Sequence, residues 1–417
     1  MRILLLTHHY EPELGAPQQR WGAFVRRFRE RGHHVTVVTP PPHQPDAILQ
    51  GDSSRPGPGQ VHLGRYGEVV HRVRFSTQGH ALGTRIADQV VSAADTTRLS
   101  IARLSRHRPD VVVATAPAIP TLGAGAVVAR ALRAPLVTEM RDAWPDLLAV
   151  ADEWDEAAAP PSRTRRIVRS RLIRAASLGV SAIQRTSAAV VTTTDTFAEA
   201  LRDRGLREVH VIRNGAHPIP RYPRHLPRVP DGELHVLYLG TVGRAQGLGS
   251  AVLAAREAHF AGVPVRLRIV GAGAEYDAVA EMAAKGDVPI EMVGQVPRSE
   301  VAEHYAWADT LLVHLRPWPA LTVTVPSKLY EAMSIGLHIT GAVEGETAGI
   351  IRDTMAGVTV TPGDPHALAD TWAKLANDPS ALVVGDEPAR WTQFHADDDS
   401  LATRYLAVLE RIAGGHD

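Results

Sequence analysis

The run "RILLL", Arg2 to Leu6, shows no alternation of apolar and polar residues. A strand with one wet face alternates, and a strand covered on both faces does not. The run therefore reads as a strand buried in a parallel sheet. After the loop "THHYEPELGAPQQR", Trp21, Phe24, Val25 and Phe28 recur at helical spacing. Gly32 then stops the stripe and "HVTVVT" supplies the next strand. Parallel neighbours must be joined by a crossover, so the first forty residues are a strand-helix-strand unit.

The unit recurs. "PDVVVATA" (Pro109 to Ala116) leads into a helix from about Pro120, and "APLVTEM" (Ala134 to Met140) follows as a strand. "AAVVTTT" (Ala188 to Thr194) and "EVHVIRNG" (Glu208 to Gly215) continue the series. The segment from Pro40 to His62, rich in Pro, Gly and Ser, reads as an excursion loop. Between His217 and Gly232, "HPIPRYPRHLPRVPDG" places five prolines in one short span, which excludes a helix or a central strand. A second series follows: "LHVLYLG", "VRLRIVG", "IEMVG", "TLLVHL", "HITGAV" and "GVTVTP". The expected architecture is α/β, with two Rossmann-like domains facing across a cleft. Residues 1–216 form the first, 217–232 the hinge-like linker and 233–390 the second. Residues 391–417 form a final helix able to cross back to the first domain.

Composition narrows the function classes. Lys plus Arg and Asp plus Glu both number 45, so no global charge draws the chain to nucleic acid. The absence of cysteine excludes disulfides, thiolate metal sites and cysteine nucleophiles. The N-terminal apolar run is too short for a signal peptide, and no run approaches the ~18 residues needed to span a bilayer. The chain reads as soluble and cytoplasmic.

Loops beyond the carboxyl ends of strands carry the chemistry in this architecture. No G-x-G-x-x-G spacing occurs where a nicotinamide cofactor would need it, and no cofactor is expected. "LGTVGRAQGLG" does follow a strand and open a helix, with Arg244 among its glycines; backbone N–H groups there suit a phosphate. A tight turn with a solvated Arg is the plainer alternative. "VPSKLYEAM" puts Ser327 and Lys328 in the first turn of a helix and Glu331 one turn on. A Lys opposes the helix dipole at that end, which points to an anion between them, and Glu331 has the reach to take ribose hydroxyls. A solvent-exposed Lys-Glu pair is the alternative; on either reading both side chains are expected to face solvent. In the first half, Gly15 and Ala16 open a helix that carries Arg20 in its first turns, and Arg141 and Asp142 stand just past a strand.

The chain carries three other local signals. "ADDDS", with Asp397 to Asp399, contains the D-x-D of manganese-dependent sugar transferases, but at the start of a helix it reads as a cap. The pairs His8-His9 and His33-His34 lack a third ligand, so no metal is expected. "SRTRRIVRSRLIR" interleaves six arginines, Arg163 to Arg174, with Ile167, Val168, Leu172 and Ile173. Such a basic amphipathic helix suits an anionic membrane surface, or serves as a solvated face.

Taken in order, "YEPELGAPQQRW…RGHHVTVVT", "EMRDAWPDLL", "VIRNG", "LGTVGRAQGL", "VPSKLYEAMSIG" and "AGVTVTPGDPHALAD" resemble glycosyltransferase family 4 over nearly the whole chain. The nearest likeness is to the branch that builds bacterial surface polysaccharides. The resemblance implies a GT-B fold and a retaining, metal-independent transfer from a nucleotide-diphosphate sugar, often an N-acetylated UDP-sugar. The acceptor it implies is a hydroxyl, lipid-linked or free. It also implies that the diphosphate is held by Arg244, Ser327, Lys328 and the Gly15-Ala16 backbone. Glu331 would hold the ribose, and the backbone around Val296 the base. Where many members have Gly-Arg and Lys-Gly, this chain has Gly240-Thr241 and Gln246-Gly247, which passes the phosphate charge to Arg244. A second family Glu falls on Val323, leaving sugar contacts to Thr322 or Thr324, and Arg141 stands at a family His. A sugar-nucleotide epimerase and a non-catalytic nucleotide-sugar-binding partner remain as alternatives.

Overall fold

The computed structural model describes residues 1–13, 15–42, 56–75, 82–143, 146–148, 163–216 and 232–415, with side chains withheld at 82–86, 148 and 163–169. The Pro-rich linker at 217–231, most of the excursion loop and the side chains at the start of the Arg-rich helix lie outside this set.

Two compact units result: Met1–Asn214 with Asp398–Asp417, and Gly215–Asp397. The first opens with strand β1 (Arg2–Leu6), helix α1 (Ala16–Glu30) and β2 (His34–Thr39). Next come β3 (Val61–Leu63), β4 (Val69–Arg72), α2 (Leu82–Leu104), β5 (Val111–Thr115), α3 (Ile119–Leu132) and β6 (Leu136–Met140). It continues through α4 (Arg163–Thr186), β7 (Ala189–Thr192), α5 (Asp195–Asp203) and β8 (Val209–Val211). Its sheet runs β3-β4-β2-β1-β5-β6-β7-β8, parallel except for the β3–β4 hairpin at one edge. The first strand of the hairpin takes up Val61 and His62, the last two residues of the loop expected over 40–62, and the rest of the hairpin lies beyond that span. Its strands are short, and Val61 and Leu63 are exposed, so the pattern that marks a buried strand is absent.

The second unit runs β9 (Leu234–Leu239), α6 (Gly249–Phe260), β10 (Val265–Val270), α7 (Tyr276–Ala283) and β11 (Ile290–Val293). Then follow α8 (Val301–Trp307), β12 (Thr310–His314), α9 (Ser327–Ile335), β13 (His338–Ala342) and α10 (Gly345–Asp353). The unit ends with β14 (Gly357–Val360), α11 (Pro365–Asn377) and α12 (Glu387–His395). The sheet is fully parallel, in the order β11-β10-β9-β12-β13-β14.

Helix α13 (Asp398–Gly414) returns to the first unit and packs along α1. The sequence boundary at 390/391 is corrected to 397/398, because α12 belongs with the second unit: Trp391 stacks on Tyr330 of α9, ring centres 5.9 Å apart. Each core follows from the patterning. In the first unit Ile3, Leu5, Val35, Val37, Val111 and Val113 line the sheet under Trp21, Phe24 and Phe28, each side chain contributing about 1.5–3 kcal/mol by leaving water. In the second, Val236, Leu267 and Ile269 are covered by Val252, Leu368 and Trp372. No helix among the described residues is long and apolar enough to cross a membrane.

Candidate functional site

Strand order reverses between β9 and β12 in the second unit, and between β1 and β5 in the first. Loops leaving a parallel sheet on either side of such a switch point diverge and open a crevice beyond the carboxyl ends of the strands. Gly15 and Ala16 follow β1, the loop 240–248 follows β9, and Ser327, Lys328 and Glu331 follow β12, whereas Arg141 and Asp142 follow β6 and Val296 follows the edge strand β11.

In the second unit the loop 240–248 follows β9. It is built onto its neighbour: Gly240 N–H donates to Val270 O and Val242 N–H to Ala272 O, both at 3.0 Å. The approach is so close that a side chain on Gly271, where φ is +143°, would meet Gly240 O at 1.8 Å. Tyr238 Oη donates to Thr241 O at 2.6 Å, leaving the Thr241 side chain exposed. Arg316, two residues past β12, donates from Nε to Arg244 O at 2.9 Å, and His314 at the end of that strand donates from Nδ1 to Gln246 O at 2.5 Å. The Gln246 side chain folds back over Gly243, and Arg244 is half-buried.

The stretch after β12 leads through a short 3-10 turn (Pro319–Leu321) into α9. Pro326 is the N-cap, no side chain caps the helix, and the first turn holds no acid. The N-terminal N–H groups thus keep their positive potential, beside Ser327 and Lys328. Glu331 is 2% exposed. Its Oε2 accepts from Lys328 Nζ at 2.8 Å and from Tyr305 Oη of α8 at 3.0 Å. Burial, and then the Glu331 charge, push the Tyr305 phenol well above its ordinary value, so it stays a donor. The expectation that both side chains face solvent is therefore corrected for Glu331. An ion pair with one buried, doubly bonded member is not the loose surface pair of the plainer reading, while Lys328 keeps 28% exposure.

The remaining residues of this half are less concentrated. Thr322 Oγ1 donates to Pro319 O at 2.7 Å, and Thr322 O accepts from Glu346 N–H at the start of α10. Thr324 Oγ1 is buried without a hydrogen-bond partner. Val296 is half-buried in the stretch between β11 and α8.

In the first unit Gly15 is the extended N-cap of α1, again with no side-chain cap, and Ala16 and Pro17 begin the helix. Arg20 is a correction. It is 1% exposed, its guanidinium held by Arg213 O, by Ile212 O at 2.8 Å and by Glu139 at 3.3 Å, with Phe24 beneath it at 4.6 Å. Committed to the interior, it ties α1 to the sheet rather than offering a ligand contact. Arg141 donates to Ala116 O from Nε and Nη2 at 3.3 and 3.2 Å and lies 3.8 Å from the buried Glu139. Desolvation lowers the Arg141 pKa, opposed by Glu139 and Asp142. Desolvation raises that of Asp142, opposed by Arg141. His8 is buried against Phe75 at the end of β1, and Asp399 is paired with Arg26 at 2.8 Å.

Tyr305, His314 and Arg316 were not singled out in the sequence. Tyr305 lies 26 residues from its partner on another helix. The pair His314 and Arg316 had a usable signal, since it straddles the carboxyl end of the strand next to the switch point.

Comparison with known proteins agrees with this layout. A model of glycosyl transferase 4-like domains matches residues 15–215, and one of group 1 glycosyl transferases matches 233–378. The amylovoran biosynthesis glycosyltransferase AmsK of Erwinia amylovora is 26% identical over 215 residues, 49% of this chain and 51% of that protein. Glycogen synthase of Mycobacterium tuberculosis is 26% identical over 190 residues, 45% of this chain and 44% of its own. The matched stretch thus spans about half the length of these relatives. Among solved structures, sucrose-phosphate synthase from Thermosynechococcus elongatus superposes with a TM-score of 0.74 at 16% identity, over 99% of each chain. Anabaena HepE in complex with UDP-glucose gives 0.64 at 17%, over 99% of this chain and 100% of its own. The fold is that of the GT-B class, two Rossmann-like α/β domains joined in one chain. The chain belongs to glycosyltransferase family 4.

Proposed function

We propose that the protein is a retaining, metal-independent glycosyltransferase. It moves a hexosyl or N-acetylhexosaminyl group from a UDP-sugar to a hydroxyl acceptor. The observation that carries this reading is the arrangement at the second unit's switch point. An uncapped helix N-terminus with Ser327 and Lys328 beside a buried Glu331 follows β12, and a braced glycine loop with Arg244 follows β9, the two strands that border the switch point. The binding of UDP-glucose by the fold neighbour HepE supports the choice of nucleotide. In the transfer, the bond from the anomeric carbon to the donor phosphate oxygen breaks and a bond to the acceptor oxygen forms on the same face. The acceptor proton passes to the departing diphosphate. Fixed cations and N–H dipoles stabilise the charge that grows on that diphosphate. Arg244 and Lys328 supply the cations; Thr322 and Thr324 are read as sugar contacts, and Val296 as marking the base-binding stretch. Within the first unit, Arg141 and Asp142 are read as catalytic residues, and Gly15 and Ala16 as offering their N–H groups to substrate.

The test is a nucleotide-sugar screen for donor turnover by the purified chain, with chelator present. Turnover of a UDP-sugar is expected, undiminished by chelator and little changed in Asp399→Ala. Loss of activity restored by manganese overturns the metal-independent assignment. Nucleotide binding without any turnover favours the non-catalytic reading. The epimerase reading has a specific fold neighbour, a UDP-N-acetylglucosamine 2-epimerase from Listeria monocytogenes with a TM-score of 0.57. Appearance of an isomeric UDP-sugar without transfer selects it.

Glu331→Gln is expected to weaken nucleotide binding by about 1.5–3 kcal/mol, the worth of a charge-assisted hydrogen bond. It should also lower the melting temperature, because Tyr305 and Lys328 lose a buried charged acceptor. Calorimetric titration beside a melting curve checks both, and parent-like affinity counts against the ribose role.

We further read α4 as contacting anionic membrane, which suits a lipid-linked acceptor. Arg171, Leu172 and Arg174 are exposed on it. The protein should co-sediment with anionic vesicles, and less so at high salt because the attraction is screened. Equal sedimentation with neutral vesicles, or none with either, returns α4 to a solvated face.

A further inference from the structure

The loop 240–248 carries an unusual set of backbone contacts. Three successive carbonyls, of Arg244, Ala245 and Gln246, are all bound from the end of β12 and the residues just beyond it. Arg316 Nε takes the first at 2.9 Å, Arg316 N–H the second at 2.8 Å and His314 Nδ1 the third at 2.5 Å. In a trans peptide the N–H points opposite to the carbonyl of the preceding residue. Pinning these three oxygens toward β12 therefore turns the N–H groups of Ala245, Gln246 and Gly247 the other way. The Gln246 N–H closes a turn on Gly243 O at 3.1 Å. The chain then passes through Gly247 in the left-handed region, φ +59°, and Leu248 in the right-handed region, φ −64°. Alternation of this kind makes a concave run of N–H groups that receives an anion.

Gly247 is required twice over. Its φ suits glycine, and a Cβ there would stand 2.6 Å from Arg316 Cγ, so the arginine stem lies directly on the glycine. The same guanidinium comes within 4.0 Å of Glu275, on the neighbouring loop after β10, and 5.7 Å above Trp318. His314 is 3% exposed, and burial drives its imidazole down to about 4, so it is neutral at physiological pH. A neutral ring bonded to a carbonyl through Nδ1 must carry its proton on Nδ1.

We propose that His314 and Arg316 are positioning residues for the diphosphate of the donor. They clamp the carbonyls of the loop so that the N–H groups of Ala245 and Gly247 are already aimed at the anion before it binds, while the Gln246 N–H holds the turn through Gly243 O. This inference rests on the reading of the second unit as the nucleotide-sugar site. It adds residues that need not touch the donor themselves. Preorganisation of this kind strengthens binding by removing the cost of ordering the loop on association.

The experiment compares UDP with UMP by calorimetric titration, with the guanosine and adenosine pairs in parallel, on the full chain. The variants are Arg316→Met, which keeps the stem over Gly247 and removes Nε–H, and His314→Val. His314→Asn, whose amide N–H stands near the place of Nδ1, serves as the conservative rescue. Arg316→Met and His314→Val are expected to weaken UDP about tenfold while moving UMP twofold or less, and His314→Asn to restore most of the difference. Equal weakening of UDP and UMP, or parent-like affinity for both, overturns the clamp while leaving the donor site in place. A parent chain that binds no nucleoside diphosphate overturns the donor-site reading, and the clamp with it. If His314→Val does not fold, Arg316→Met and His314→Asn decide the matter alone.

Discussion

Lys328→Ala is expected to lower turnover by a factor on the order of a hundred or more. Two effects compete at this residue. The ammonium lies 2.8 Å from Glu331, so part of its charge is already compensated. The same contact fixes a long, otherwise mobile side chain, and an ammonium has three donors, of which Glu331 takes one. Lys328 keeps 28% exposure while Glu331 has 2%, so the cation is the solvent-facing member of the pair. A preorganised donor costs no rearrangement when charge builds on the leaving diphosphate, and such donors act more on the transition state than on the bound donor. The expected signature is a large fall in kcat with a smaller change in donor affinity. If kcat stays within a few-fold of the parent while donor affinity collapses, Lys328 is a ground-state binder. If neither moves, α9 is only a helix with a braced N-terminus.

How much of this site was legible depended on how far apart its partners are in the chain. Ser327, Lys328 and Glu331 lie within one helical turn, and a Lys placed against the helix dipole is a local oddity that a sequence displays by itself. The loop 240–248 announces itself by its glycines, since backbone that approaches another backbone closely must lack side chains. What such signals omit is what stands behind each residue. Tyr305, which buries and satisfies Glu331, and Arg316, which holds Arg244 O, reach their partners only through the parallel sheet order. Arg20 is the instructive failure. Its place in the first turns of α1 suggested a ligand contact, yet it shares an i, i+4, i+8 row with Phe24 and Phe28, and a residue on that row points into the core. The row is legible in the sequence. The β3–β4 hairpin went unread for the opposite reason. Strands of three and four residues, the first of them at an exposed edge, carry too little pattern to be told from loop.

Tyr405→Ala tests a feature that sequence left open, namely where the last helix belongs. Tyr405 is fully buried, and its ring lies 5.6 Å from Trp21, 5.5 Å from Phe24 and 6.2 Å from Phe28. It is the point at which the end of the chain closes the core of the beginning. Deleting a buried aromatic ring costs about 3–5 kcal/mol, the transfer term plus the cavity left behind. At about 2–4 °C per kcal/mol for a unit of this size, the first unit should melt roughly 10 °C lower. Tyr405→Phe should behave differently. The Tyr405 hydroxyl is buried beside the Glu139 carboxylate and makes no hydrogen bond of full geometry, so its removal gives up little and leaves the ring contacts in place. That variant should melt close to the parent temperature. A chain of two units need not unfold in one step, so the readout is hydrogen exchange followed separately in peptides from β1, α1 and β5 and in peptides from β9 and β12. Protection lost in the first set and kept in the second locates the damage. An unchanged first set would show that α13 is held elsewhere, and a fall in both sets would show that the two units unfold together.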